Sequence, residues 1–254
     1  MREVLEAVAA GELSPTEAEG RLAGYVTTGA GRFDAAREQR RGVPEGILAD
    51  GKTPDEAVEL TLAALDSTGS ALLTRASAAD VEAVTAAVDD SVELTHNDRA
   101  GTLVARRADY EPPTVDATAA VVTGGTADRA AAGEAATVLE AMGVAVEVIE
   151  DVGVAHLGRV LDHLETLRSA DVLVVAAGRE GALPTVVAGL VDTPVIGLPV
   201  SSGYGHGGEG SAALAGMLQS CTVLSVVNVD AGFVAGSQAG LIARAVSDAR
   251  DDTE

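Results

Sequence analysis

The chain has little with which to cross-link itself, attract a polyanion or enter a membrane. Its one cysteine, Cys221, excludes an internal disulfide and a cysteine-rich metal site, so Cys221 can matter only as a thiol. Lysine is nearly missing: Lys52 is the only one, and every other basic side chain is arginine. Lys+Arg number 17 against 39 Asp+Glu, a formal net charge of -22, and no local basic patch offsets it. A surface of that sign repels nucleic acid and anionic membrane, so neither is expected as a partner. No charged-then-apolar leader opens the chain, and no uncharged apolar run reaches about 18 residues, so a soluble, cytoplasmic protein is expected.

What is present is acidic, rich in alanine and glycine, and still 47% hydrophobic. That combination looks like a halophile's cytosolic protein, whose carboxylates hold water and counter-ions at high salt. The charge then describes habitat rather than partner; a generally acidic mesophilic enzyme is the alternative. The 254 residues suffice for one large domain, or for a small domain followed by a medium one.

The first fifty residues read as helices with explicit start signals. Ser14-Pro15-Thr16-Glu17 supplies an N-cap, a first-turn proline and the glutamate of a capping box, and Thr53-Pro54-Asp55-Glu56 repeats the device. A helix is expected from there to about Leu65, then a strand from Ala71 to Arg75 and a helix from the Ser77 cap through Val88. Strand-like runs around Val92 to Leu94 and Thr102 to Arg106 complete a small α+β unit. Between Ala108 and Asp116 the paired prolines Pro112 and Pro113 can join neither a helix nor a central ladder. The expected domains are therefore 1–110 and 117–254.

Beyond that boundary apolar strands alternate with amphipathic helices. The strands read are Ala117 to Val122, Ala145 to Ile149, Val172 to Ala176, Val195 to Leu198 and Val223 to Val229. Helices fill the gaps: Arg129 to Met142, Ala155 to Arg168, Ala182 to Leu190, Glu209 to Gln219 and Phe233 to Ala249. Near-continuous Val/Ala/Leu strands imply burial on both faces, hence a parallel sheet with helices on either side. The expected fold is α/β and flavodoxin-like, with five parallel strands in the order 2-1-3-4-5. That topology binds ligands at the carboxyl ends of the strands, beside the switch point.

Segments expected at those ends carry the candidate chemistry. Thr123-Gly124-Gly125-Thr126-Ala127-Asp128 is a glycine turn opening a helix, suited to a phosphate or simply to a tight turn. Gly178-Arg179-Glu180-Gly181 places a carboxylate between glycines, either at a site mouth or as a solvated loop residue. Ser201-Ser202-Gly203-Tyr204-Gly205-His206-Gly207-Gly208 is a flexible stretch of the kind that closes over ligands. The last group is Gln219-Ser220-Cys221 with Asn228-Val229-Asp230-Ala231-Gly232-Phe233 after the following strand. Cys221 is either a small buried hydrophobe or a nucleophile. Because it follows a helix, the negative dipole end disfavours its thiolate, and a cationic substrate would have to compensate.

These segments resemble the LarB family of nickel-pincer cofactor biosynthesis proteins, relatives of the aminoimidazole ribonucleotide carboxylases and mutases. The resemblance is carried in the front half by 33–45 (FDAAREQRRGVPE) and Gly51-Lys52-Thr53-Pro54. In the back half it is carried by 125–128 (GTAD), 151–155 (DVGVA), 178–183 (GREGAL), 202–205 (SGYG), 217–221 (MLQSC) and 227–233 (VNVDAGF). The histidine-arginine-threonine-proline run of the purine enzymes is not matched: the region reads Ala155-His156-Leu157-Gly158-Arg159, which makes His156 a surface or capping residue rather than an acid catalyst.

The resemblance implies carboxylation of the pyridinium ring of nicotinic acid adenine dinucleotide by CO2 and hydrolysis of the phosphoanhydride. The products would be AMP and pyridinium-3,5-biscarboxylic acid mononucleotide. Cys221 would add to the ring and Glu180 would take the ring proton. Substrate-binding residues would be Gly124, Gly125, Thr126, Asp128, Gly178, Gly181, Ser202, Gly203, Tyr204, Gly205, Asn228, Asp230 and Phe233. Magnesium is expected at the phosphoanhydride with Asp128 and Glu180 as oxygen ligands, and no organic cofactor. Lys52, kept where all other lysines are absent, would contact phosphate or carboxylate, or is an accidental survivor. A homo-oligomer, an octamer, is the expected assembly. The runner-up function is the aminoimidazole ribonucleotide carboxylase or mutase reaction of purine synthesis, which would not need Cys221.

Overall fold

A computed structural model of the chain describes residues 1–11, 13, 18 and 22–251. The chain divides into two compact units, Met1–Glu111 and Pro112–Glu254.

In the first unit, helix α1 (Arg2–Ala9) precedes a two-stranded antiparallel hairpin of β1 (Val26–Thr27) and β2 (Arg32–Phe33). A five-residue helix α2 (Arg37–Arg41) follows, then β3 (Gly46–Leu48), α3 (Pro54–Thr68), β4 (Ser70–Thr74), α4 (Ala78–Ala87), β5 (Val92–Asn97) and β6 (Thr102–Arg107). Strands β3 to β6 form one sheet in the order β3-β4-β6-β5, with β3 parallel to β4 and the other pairs antiparallel.

The helical reading of the first fifty residues is corrected here. Thr28 and Gly31 close the hairpin turn through the Thr28 N–H to Gly31 carbonyl bond (2.7 Å), and Gly46–Leu48 is drawn into the sheet by β4. Pairing across the fold outweighs local propensity there. The capping box at Ser14–Glu17 lies outside the described residues. The Thr53 box forms: the Glu56 N–H donates to Thr53 Oγ1 (3.3 Å) and the Thr53 N–H to Glu56 Oε2 (2.7 Å). Ser77 and Asp80 make the same arrangement at the start of α4.

The second unit is built on five strands: β7 (Thr118–Thr123), β8 (Ala145–Ile149), β9 (Val172–Ala177), β10 (Val195–Pro199) and β11 (Ser225–Val226). All are parallel, in the order β11-β10-β9-β7-β8, which is 2-1-3-4-5 read from the other side. The helices are α5 (Arg129–Ala141), the short α6 (Gly158–Leu161) and α7 (Leu164–Ser169), α8 (Ala182–Ala188), α9 (Ser211–Leu218) and α10 (Gly232–Asp251).

Residues alternate along the strands between two cores. Ala119, Val121, Val172, Val174 and Ile196 face α5 and α10, and Ala120, Val122, Leu173, Val175 and Val195 face α6 to α9. Each fully buried valine or leucine contributes on the order of 1.5–3 kcal/mol, so this two-sided burial is what holds the sheet between its helices. The helix read over Ala155 to Arg168 is broken into a 3₁₀ turn, α6 and α7. Strand β11 is shorter than read: it covers Ser225–Val226, and beyond it the contact with β10 continues only as single bonds, from the Val227 N–H to the Gly197 carbonyl (3.1 Å) and from the Asp230 N–H to the Pro199 carbonyl (2.9 Å). Among the described residues, no helix is long and apolar enough to cross a membrane.

Candidate active site

The carboxyl ends of β7, β8, β9 and β10 enclose a cleft of about 580 Å³, at the switch point between β7 and β9. The loop after β7 supplies Gly124, Gly125 and the 3₁₀ turn Thr126–Asp128. The loop after β8 supplies Gly153, Val154 and Ala155, and the loop after β9 supplies Gly178, Arg179 and Glu180. Ser202, Gly203 and Tyr204 come from the loop after β10.

One buried carboxylate joins these loops. Asp128 is 4% exposed. Its Oδ2 accepts the Gly125 N–H (2.8 Å) and its Oδ1 accepts the Ser202 hydroxyl (3.0 Å), while the Gly124 and Gly178 N–H groups also bear on it. Burial pushes the carboxyl above the usual aspartate value of 3.8, and those donors only partly offset the shift. Burial without a cationic partner disfavours the charged form, and hydrogen bonding to it restores some of the loss. Donors from the loops after β7, β9 and β10 thus converge on one side chain.

The Gly178–Gly181 loop is fitted tightly into that framework. A Cβ on Gly178 would lie 1.9 Å from Ser202 Oγ and 2.6 Å from the Ser202 carbonyl oxygen, so no side chain is tolerated. The Arg179 N–H donates to the Ser202 carbonyl (3.1 Å), with Arg179 in the left-handed region at φ +53°. The Glu180 carbonyl sits against α9, 2.3 Å from where a Cβ on Gly216 would be. The backbone of Glu180 is therefore fixed while its side chain stays exposed in the cleft. Tyr204, 80% exposed, lies at the rim with the Arg179 guanidinium 4.5 Å from its ring centroid.

Nine of the expected residues line the cleft: Gly124, Gly125, Thr126, Asp128, Gly178, Glu180, Ser202, Gly203 and Tyr204. Gly181 and Gly205 do not. Gly181 turns the chain into α8 at φ +66° beneath Ala213. Asn228, Asp230 and Phe233 follow the edge strand β11 and are also absent from the lining. Asp230 acts at one remove: its N–H donates to the Pro199 carbonyl and its Oδ1 accepts the Ser201 N–H, both at 2.9 Å, tying the loop after β10 to the end of β11. His156 is exposed and packs over Gly158 outside the lining. Lys52 belongs to the first unit, where its Nζ donates to the Leu48 carbonyl at 2.5 Å.

Cys221 stands apart from the cleft within one chain. It lies between α9 and β11, and a helix returning between parallel strands ends at the amino edge of the sheet. The adjoining Thr222 stands beside Gly189 at the end of α8, which is that edge. Cys221 is exposed there and, within one chain, is not brought to the cleft. Val223 beside it is 95% exposed and Leu218 is 62% exposed.

Asp128 and Glu180, the expected magnesium ligands, both line the cleft, and both Asp128 oxygens accept protein donors. Among the described residues, no group of three or more His, Cys, Asp or Glu could hold a metal ion.

Arg179, Gly153, Val154 and Ala155 line the cleft without having been singled out as site residues. Their signal was position: each lies in the loop that leaves the carboxyl end of a strand of a parallel sheet, Arg179 after β9 and the other three after β8.

Comparison with known proteins accords with this architecture. The AIR carboxylase family matches residues 118–253, and the LarB/PurE-like N-terminal domain matches residues 25–107. A protein of Methanocaldococcus jannaschii whose function is uncharacterized is 38% identical over 220 residues, covering 84% of each chain. The crystal structure of a point variant of Treponema denticola PurE2 aligns with 54% of this chain and 96% of its own at 18% identity, with a TM-score of 0.38. With the carboxylase family spanning its second unit and the companion amino-terminal domain its first, the chain belongs to the AIR carboxylase family as a LarB-like member.

Proposed function

We propose that this chain carboxylates the pyridinium ring of nicotinic acid adenine dinucleotide with CO2 and hydrolyses the phosphoanhydride, giving AMP and pyridinium-3,5-biscarboxylic acid mononucleotide for a nickel-pincer cofactor. The observation that carries the reading is the pairing of the LarB/PurE-like amino-terminal domain with a carboxylase-family unit whose cleft presents one unengaged carboxylate, Glu180, on a fixed backbone. A cleft walled by glycine backbone with an adjacent helix start suits a nucleotide phosphate.

The covalent route runs as follows. The Cys221 thiolate adds to the cationic ring, leaving a neutral enamine whose nucleophilic carbon attacks CO2. Glu180 takes the proton from that carbon, and expulsion of the thiolate restores aromaticity. Water then attacks phosphorus and AMP departs. Because one chain holds Cys221 and the cleft at opposite edges of its sheet, the thiol must come from a second copy. The exposed Val223 and Leu218 beside it give that edge an apolar surface to bury in such an assembly, for which an octamer is our expectation. Magnesium enters only as the counter-ion of the phosphoanhydride. The acidic, lysine-poor surface suits a cytoplasm at high salt.

The aminoimidazole ribonucleotide carboxylase or mutase reaction is the second reading, favoured by the family of the second unit and by a cleft complete without Cys221. Mass spectrometry after incubating the protein with nicotinic acid adenine dinucleotide and bicarbonate at high salt separates the two. The expected result is AMP and a nicotinate mononucleotide heavier by one carboxyl group. Turnover of aminoimidazole ribonucleotide instead, undiminished in Cys221→Ser, would replace this reading with the second.

A further inference from the structure

The cleft contains a single basic side chain among the described residues, Arg179, and it is one of two arginines laid over a tyrosine ring, the other being Arg32 over Tyr25 in the first unit. Arg37, Arg40, Arg107, Arg129, Arg159 and Arg250 each face a carboxylate at 2.6–3.4 Å. Among the described residues, Arg179 has no such partner, and no ion pair joins it to the adjacent Glu180. Its guanidinium is instead laid against the exposed Tyr204 ring at 4.5 Å. Stacking engages the face of the guanidinium and leaves its in-plane N–H donors available. The origin of the side chain is fixed as well, by the left-handed φ of +53°, the bond to the Ser202 carbonyl and the glycine that must precede it.

We propose that Arg179, braced by Tyr204, recognises an anionic oxygen group of the substrate, a phosphate or a carboxylate, and so sets the preference of the cleft for charged over neutral nucleotides. An unpaired, pre-oriented guanidinium at the mouth of a cleft in a strongly negative chain is placed to bind an anion with little ordering cost. This deepens the nucleotide reading above and rests on it.

Calorimetric titration of the full-length protein tests the proposal with two ligand pairs, AMP against adenosine and nicotinic acid mononucleotide against nicotinamide mononucleotide. In the wild type the charged member of at least one pair binds more tightly. Arg179→Met should reduce that preference about tenfold, or ~1.4 kcal/mol. Arg179→Lys should recover part of it, since the point charge survives without the planar stack, and Tyr204→Leu should lose part of it. Loss confined to the AMP pair identifies the group as phosphate; loss confined to the nicotinic acid pair identifies it as carboxylate. Unchanged preference in both pairs, with binding intact, overturns this proposal alone. Failure of the wild type to bind any of the four ligands overturns it together with the nucleotide reading.

Discussion

At the amino edge of the five-stranded sheet, Asp171 accepts the Thr118 N–H (2.9 Å) and pairs with Arg250 (2.6 Å); at the carboxyl edge, Asp128 accepts N–H and O–H donors alone. Burial pushes both carboxyls up. For Asp171 the N–H bond and the guanidinium outweigh it, and the carboxyl sits below 3.8; for Asp128 they do not, and it sits above. Asp128 is the more deeply buried of the two and has no cation beside it, whereas Asp171 has the Thr118 N–H and then Arg250 to hold its charge. The amino edge is stapled by a solvent-facing ion pair and leaves Cys221 and Val223 open, whereas the carboxyl edge is organised by a buried carboxylate that holds three loops around a cleft. On the proposed function, the first edge meets a neighbouring copy and the second receives the ligand.

The largest effect expected from breaking this contrast is at Gly178. Gly178→Ala drives a methyl group into the Ser202 side chain and backbone, so a loss of about 3 kcal/mol or more is expected in denaturant unfolding, with loss of ligand binding. Next comes Asp128→Asn, which keeps an acceptor for Ser202 but turns a donor toward the Gly125 N–H. A cost of about 1–3 kcal/mol is expected from thermal melts.

The two carboxylates should also give opposite pH slopes. The folded value of Asp128 is raised, so its contribution is full below 3.8 and is lost as pH rises through the folded value. That of Asp171 is depressed, so its contribution is present above 3.8 and is lost as pH falls through the folded value. Stability of wild type relative to Asp128→Asn should therefore fall with rising pH across the acidic range, and relative to Asp171→Asn it should rise. Slopes of the same sign would erase the distinction between the edges.

The smallest effects are expected at exposed positions. Cys221→Ser should change stability by less than about 0.5 kcal/mol while abolishing carboxylation. Lys52→Arg should likewise stay within about 0.5 kcal/mol, because Lys52 reaches a carbonyl at the surface; unchanged activity would leave it a local turn contact.

Much of this architecture is legible in the residues. Near-continuous apolar runs mark β7, β9 and β10 to within a residue or two, since burial on both faces admits little else, while β8, with Glu147 and a largely exposed pattern, is marked by its place in the strand–helix alternation; the Thr53 and Ser77 boxes mark helix starts through their own chemistry. Less legible are elements set by distant partners, such as β3, drawn into its sheet by β4, and the hairpin of β1 and β2. The Asp128 network could not be read at all, because Ser202 lies 74 positions away. The placement of Cys221 is different in kind: that a residue ahead of a parallel strand sits at the amino edge follows from chain direction alone.

The claim that the amino edge of one copy completes the carboxyl edge of another is tested most directly by complementation. Cys221→Ser and Glu180→Gln should each be inactive alone. Co-expressed and purified as mixed assemblies, they should regain measurable carboxylation, because some clefts then combine an intact Glu180 with an intact thiol from a neighbouring copy. Mixed assemblies that form but remain as inactive as either parent would contradict the account.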